Sequence, residues 1–169
     1  MSLCVFSVNL RATKTKMIEK IKKILAQVTD PEIPVLSLHD LGVIRNIEVN
    51  DDEIIVTITP TYSGCPAMEV MKQDIIKVLS KQGRKVGLPT KVTVITQLSP
   101  AWTTDWISEK GKQALLKYGI MPPSRKGTIM CPQCESKNVE LLSQFGSTAC
   151  KALYRCKDCL EPFDYFKCH

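Results

Sequence analysis

Residues 42–59 read GVIRNIEVNDDEIIVTIT. Two β-branched runs with alternating character flank Asn50, Asp51 and Asp52. Branched side chains suit a pleated, half-buried surface, and Asn and Asp favour turns. The stretch therefore predicts an antiparallel hairpin.

The flanks carry a different period. Met17, Ile18, Ile21, Ile24, Leu25 and Val28 recur at helical spacing. The Pro-rich DPEIP of residues 30–34 ends that helix, because proline disfavours helical geometry in the residue before it. On the other side, TPTYSGC (59–65) is a loop, and residues 66–82 place Met68, Met71, Ile75, Val78 and Leu79 on one helical face, with Gly83 where a cap is expected. TKVTVITQL (90–98) reads as a third strand and Thr104 to about Tyr118 as a third helix. The order α-β-β-α-β-α predicts a small two-layer α/β (α+β) domain with helices against a three-stranded sheet.

GIMPPSRKGT (119–128) has linker composition, and beyond it six of the eight cysteines fall in some forty residues. The expected organisation is an N-terminal extension over 1–14, the α/β domain over 15–121, a linker over 122–129 and a cysteine module over 130–169. That module is too small to fold on hydrophobic burial alone. Cys131-Pro-Gln-Cys134 and Cys156-Lys-Asp-Cys159 are two knuckles 21 residues apart, room for a hairpin that brings both pairs around one tetrahedral ion. Four thiolates with no open position imply a structural zinc in a zinc-ribbon-like fold. A rubredoxin-like iron centre or an iron–sulfur cluster would use the same ligands. Cys150 shares strand parity with Cys156 if the intervening chain is extended, which makes it a candidate additional ligand or a small buried hydrophobe. Cys168 and His169 read as a frayed terminus.

Charge and hydropathy narrow the partners. The net charge of +6 is concentrated at residues 11–29 (+5), with −1 over 30–124 and +2 over 125–169. Those lysines form the solvated face of an amphipathic helix without interleaved aromatics, so no nucleic-acid partner is expected. LCVFSVNL (3–10) is too short to span a bilayer and lacks the flanks of an export signal. The expectation is a cytoplasmic chain with reduced thiols and no membrane association.

Cys65 lies between Gly64 and Pro66. With Pro66 as the first helical residue, Cys65 becomes the N-cap, where the helix dipole and free N–H groups favour thiolate. It is then a metal ligand, a cluster ligand, a nucleophile or a plain cap. A nucleophilic enzyme needs a general base, and His39, among apolar neighbours, is not paired with Cys65 by any motif. Asp30 and Glu32 reach the same end of the sheet or serve only as loop residues.

TDPEIPVLSLHDLGVIRNI (29–47) and TPTYSGCPAMEVMKQDI (59–75) resemble the domain family that includes the iron–sulfur maturation factor SufT and its eukaryotic cytosolic relatives. SPAWTTDWISEKGKQALLKYGIMPP (99–123) and the cysteine-rich tail resemble the PaaD-like proteins of bacterial phenylacetate degradation. Such proteins accompany the phenylacetyl-CoA epoxidase, a ring-epoxidising oxygenase with a di-iron subunit and a reductase carrying flavin and an iron–sulfur cluster. The resemblance implies an accessory subunit without catalysis of its own, assisting iron or iron–sulfur centre assembly. It implies that Cys65 is the family's reactive cysteine, that Asp30 and Glu32 form its acidic loop, that Thr61 and Ser63 flank the thiol, and that Asp40 and Gly42 belong to a second shared motif. Oxygenase and reductase subunits are the expected partners. One thiol per domain cannot enclose a cluster, so a homodimer or higher oligomer is expected too. The competing role is a structural or docking subunit holding only zinc.

Overall fold

The alternating runs around Asn50 form the expected hairpin. β1 (Ile44–Val49) pairs antiparallel with β2 (Glu53–Ile58), with a bulge between Ile44 and Asn46. Ile54, Val56 and Ile58 point into the core while their neighbours are half-buried, the period-2 pattern of a sheet covered on one face. The computed structural model describes residues 3–124 and 127–167, so Cys168 and His169 lie outside it.

α1 runs Leu3–Leu25. Residues 3–14, expected as an extension, continue it, because no proline or glycine interrupts them. Ile21, Ile24, Leu25 and Val28 are buried and Lys16, Lys20, Lys22 and Lys23 exposed, so the basic segment is a solvated helix face. α2 (Ala67–Gly83) buries Ala67, Met71, Ile75 and Leu79. Gly83 does not take the left-handed cap. Its φ is −60°, a 3-10 turn over Arg84–Val86 follows, and Gly87 at φ +71° ends the element. At Gly83 the missing side chain instead makes room for Leu88, whose Cβ lies 3.4 Å from where one would stand.

β3 (Lys91–Thr96) pairs parallel with β2 and completes a sheet of order β1-β2-β3, with α2 as the crossover. The third helix splits into a 3-10 turn over Thr104–Trp106 and α3 (Glu109–Lys117), because Ser108, extended at ψ 156°, caps α3 by accepting the Gly111 N–H at 2.9 Å.

The second sheet is β4 (Ile120–Met121), β5 (Val139–Ser143), β6 (Lys151–Cys156) and β7 (Pro162–Phe166), in the order β4-β7-β6-β5. β4 pairs parallel with β7, so the end of the segment expected in the α/β domain is stitched into the cysteine module. Met121 joins a small core with Cys131, Cys156, Phe163 and Tyr165. Ile120, Cys150 and Phe166 belong to the main core, and the Phe166 ring lies 6.1 Å from that of Trp102. The two sheets therefore share apolar packing.

Candidate functional site

Two groups of thiols stand out, one at each end of β6. At its C-terminal end the knuckles meet. The sulfurs of Cys131, Cys134, Cys156 and Cys159 all lie within 4.8 Å of one another, with Cys131 to Cys159 at 3.6 Å and Cys134 to Cys156 at 3.5 Å. A tetrahedral zinc with bonds of about 2.3 Å needs sulfur–sulfur edges of about 3.8 Å, so the donor set fits the ion. The residue after each knuckle, Glu135 (φ +60°) and Leu160 (φ +66°), turns left-handed. Asp158 ties the knuckles together, accepting from the Asn138 amide at 2.7 Å and from the Ser136 hydroxyl, and these bonds hold its carboxyl below the usual range. The Cys159 N–H points at the Cys156 sulfur at 3.5 Å and helps draw that thiol down to about 7. These four residues would hold zinc as a closed structural centre, with every position filled by protein.

Cys150 is not a fifth member. It packs in the main core, whereas Cys131 and Cys156 belong to the smaller one. The parity expectation failed because Cys150 precedes β6, and six residues of strand place it about 20 Å from Cys156.

At the other end of β6 a mixed group assembles. Asp30 accepts the Glu32 and Ile33 N–H groups on Oδ1 at 2.7 and 2.9 Å, so DPEIP forms an Asx turn that fixes a carboxyl only 6% exposed. Burial pushes that carboxyl up, despite the two N–H groups and the Lys151 charge. Glu32, half-buried, is also pushed up by burial and by Asp30.

Cys65 is half-buried against the main core. The expected N-cap is displaced by one residue: Pro66, with φ −68° and ψ −23°, is the N-cap of α2. The expected lowering of its pKa is also reversed. The sulfur receives the Ala67 N–H and the Tyr62 hydroxyl, but burial outweighs them, and Glu32 and Asp30 add to it, so the thiol is raised. Gly64, at φ +80°, makes the turn that delivers it. Tyr62 is pushed up to about 12, by burial first and then by Cys65, Glu32 and Cys150.

Asp30 and Glu32 thus lie within electrostatic reach of the Cys65 sulfur. Thr61 and Ser63 line a cleft of about 550 Å³ with Thr59, Tyr62, Leu98 and Trp102. His39 is exposed and lines another cleft with Ile18, Lys22 and Ile44. The second shared motif is structural. Asp40 accepts from Ser37 and Ser108 at 2.7 and 2.8 Å and pairs with Lys110 at 3.5 Å, and its carbonyl receives the Ser108 N–H at 2.8 Å. Gly42 is left-handed, and a Cβ there would stand 2.6 Å from Trp106. Together they dock the start of α3.

Sequence reasoning missed Tyr62, Lys151 and the 146–151 loop, whose run of small and hydroxyl residues before Cys150 was the available signal. A Cβ on Gly146 would meet Asp164 at 2.3 Å. Ser147 donates to Asp164 at 2.8 Å, Lys151 pairs with the same carboxylate at 3.4 Å, and the Thr148 hydroxyl lies 3.0 Å from the Cys150 sulfur.

Comparison with known proteins finds a family match for each part of the chain. Residues 18–94 match the family described as iron-sulfur cluster assembly protein, and residues 121–167 match the PaaD zinc beta ribbon domain. An Escherichia coli protein, named as the D component of a "Putative 1,2-phenylacetyl-CoA epoxidase", is 46% identical, over 89% of this chain and 93% of its own. A Porphyromonas gingivalis Fe-S protein maturation auxiliary factor is 38% identical over 61% of this chain and 91% of its own. A Bacillus anthracis domain of unknown function shares the fold, with a TM-score of 0.57 at 24% identity over 62% of this chain and 96% of its own. With 46% identity along nearly the whole Escherichia coli relative and a PaaD-type zinc ribbon match over residues 121–167, the chain belongs to the family of the PaaD proteins.

Proposed function

We propose that the protein is an accessory factor of a phenylacetyl-CoA epoxidase system that assists assembly of its iron or iron–sulfur centres and performs no oxygenation itself. One observation carries this reading. Residues far apart in the chain, Asp30, Glu32 and Cys65, lie within electrostatic reach of one another, and a thiol near carboxylates can hold a divalent iron. The relatives named as Fe-S maturation factors support it from outside. A thiol enzyme is disfavoured, because Cys65 is raised rather than activated and His39, the histidine among the described residues, lines a different cleft.

Iron is cargo in this reading, while the ribbon's zinc is resident and shapes a surface for the oxygenase or reductase subunits. Anaerobic purification with those subunits, with iron and sulfide measured for wild type and Cys65→Ser, decides it. Client iron content and epoxidase activity should drop in the variant while zinc stays. If both are indifferent to the substitution, the protein is the zinc-bearing docking subunit instead.

A further inference from the structure

Arg45 stands where β1 breaks its register. Ile44 pairs with Ile58 and Asn46 with Thr57, so Arg45 is the extra residue of the bulge, and a bulge re-aims the side chain it carries. Its guanidinium lies over the Trp106 ring, 3.4 Å from the centroid. Trp106 is itself held in place, since Gly42 leaves the room that the Trp106 backbone and Cβ take. A cation over an indole face is restrained without using up its N–H donors. Among the described residues, neither Arg45 nor His39 pairs with a carboxylate.

Arg45 opens on a cleft of about 400 Å³ that Lys22, His39 and Asn46 also line. Its floor is Ile18, Ile44 and Ile47, which pack on the edge of the main core. Among the described residues no carboxylate lines this cleft. Those of Glu19 and Glu48 are engaged beside it, with Lys22 at 3.2 Å and with the Asn46 amide at 2.8 Å. Asn46 also accepts the Ile47 N–H on its side-chain oxygen at 3.0 Å. The strand edge is thereby blunted at that point, and recognition falls to side chains rather than to an added strand.

We propose that this cleft docks an acidic segment of a partner protein, which sets a carboxylate on the Arg45 guanidinium and an apolar side chain on the isoleucine floor. Charge complementarity selects an anion, and a guanidinium fork takes a carboxylate through two parallel hydrogen bonds. The floor selects a chain that carries apolar groups beside its acids, because a free phosphate would engage the cations and leave the isoleucines uncovered. Neither Cys65 nor any ribbon cysteine lines the cleft, so the docking does not depend on the iron-handling role.

A short fluorescein-labelled peptide alternating glutamate with leucine, titrated into the full zinc-loaded chain and read by anisotropy, tests this. It should saturate below about 1 mM and bind several-fold more weakly as salt is raised through the physiological range. A peptide with serine in place of leucine should bind at least about threefold more weakly, through loss of the apolar contact. Arg45→Gln should weaken binding about tenfold, with Arg45→Lys, which keeps the charge but not the fork, in between. Both Arg45 and Lys22 are exposed, and Lys22→Gln on α1 is the second variant, expected to cost about threefold. A glutamine counterpart that binds as tightly as the glutamate peptide overturns the proposal. So does an affinity indifferent to Arg45→Gln and Lys22→Gln, or the absence of saturation up to about 1 mM. Displacement of the labelled peptide by inorganic phosphate at lower concentration than by unlabelled peptide makes the cleft a free-anion site and overturns it as well.

Discussion

The two ends of β6 hold thiols in opposite conditions. At one end, four sulfurs are drawn together within 4.8 Å by two knuckles, with a backbone N–H aimed at Cys156 and with Asp158 bracing the turns. At the other, Cys65 is half-buried with Asp30 and Glu32 in electrostatic reach, Cys150 is buried in the main core, and burial raises both thiols. A cage of matched donors held at the ion's own spacing retains its metal and contributes folding energy. A raised thiol within reach of carboxylates binds only when a cation replaces its proton, a property suited to passing cargo. The same residue type is thus set for a closed cage in one surrounding and, in the proposed iron-handling role, for exchange in the other.

The largest way to break the contrast is to deprive the four-thiol cage of the ion it would hold. Structural zinc contributes on the order of 10 kcal/mol to small modules. Chelation or Cys156→Ser should abolish hydrogen-exchange protection of β5–β7, while β1 and β2 stay protected and lose only the support of Phe166 against Trp102. Metal analysis alongside exchange checks this, and ribbon amides that stay protected without metal would show the cage to be dispensable.

Next in size is Lys151→Met. Its ammonium is buried against Asp164, and removing one partner of such a pair typically costs about 3 kcal/mol. Denaturant unfolding should show that loss. Lys151→Met combined with Asp164→Leu should recover much of it, since what costs most is the carboxylate left alone. If the single variant is as stable as wild type, Lys151 does not organise this end of β6.

Much of this was legible in the sequence, for identifiable reasons. The hairpin, the buried face of α2 and the ribbon knuckles are local patterns whose period or spacing states the structure directly. What was not legible depended on contacts distant in sequence. The thiol state of Cys65 was misjudged because the N–H groups at a helix start are local, whereas the burial that outweighs them comes from packing against the main core. Cys150 was placed by strand parity, but the strand starts one residue later and the loop before it is held by Asp164, fourteen positions away. Gly42 shows the same limit: its need to be glycine comes from Trp106, which no local motif reveals.

The two aspartates of the shared motifs offer a smaller and sharper comparison. At Asp40, burial opposes the charge, but the Ser37 and Ser108 hydroxyls and Lys110 prevail, and the carboxyl is lowered. A lowered carboxyl adds stability above its unfolded pKa and loses it as pH falls through the folded one. Asp40→Asn should therefore cost about 1–2 kcal/mol at neutral pH, a difference that shrinks in acid. Equal denaturation midpoints for the two proteins at neutral pH would count against Asp40 as the anchor of α3.

Asp30 runs the other way. Its folded pKa is raised, chiefly by burial, so the ionised form opposes folding at neutral pH and the penalty disappears as pH falls through the folded value toward the unfolded one. Asparagine keeps an acceptor for the Glu32 and Ile33 N–H groups. Asp30→Asn should thus be as stable as wild type, or more stable by up to about 1 kcal/mol, at neutral pH, with the advantage fading in acid. In the proposed iron-handling role its carboxylate serves the cation, and the same variant should bind cobalt(II) at least several-fold more weakly than wild type. Parallel unfolding and metal titrations separate the two effects: loss of stability at neutral pH would make Asp30 a structural residue like Asp40, and unchanged cobalt affinity would remove it from the cation site.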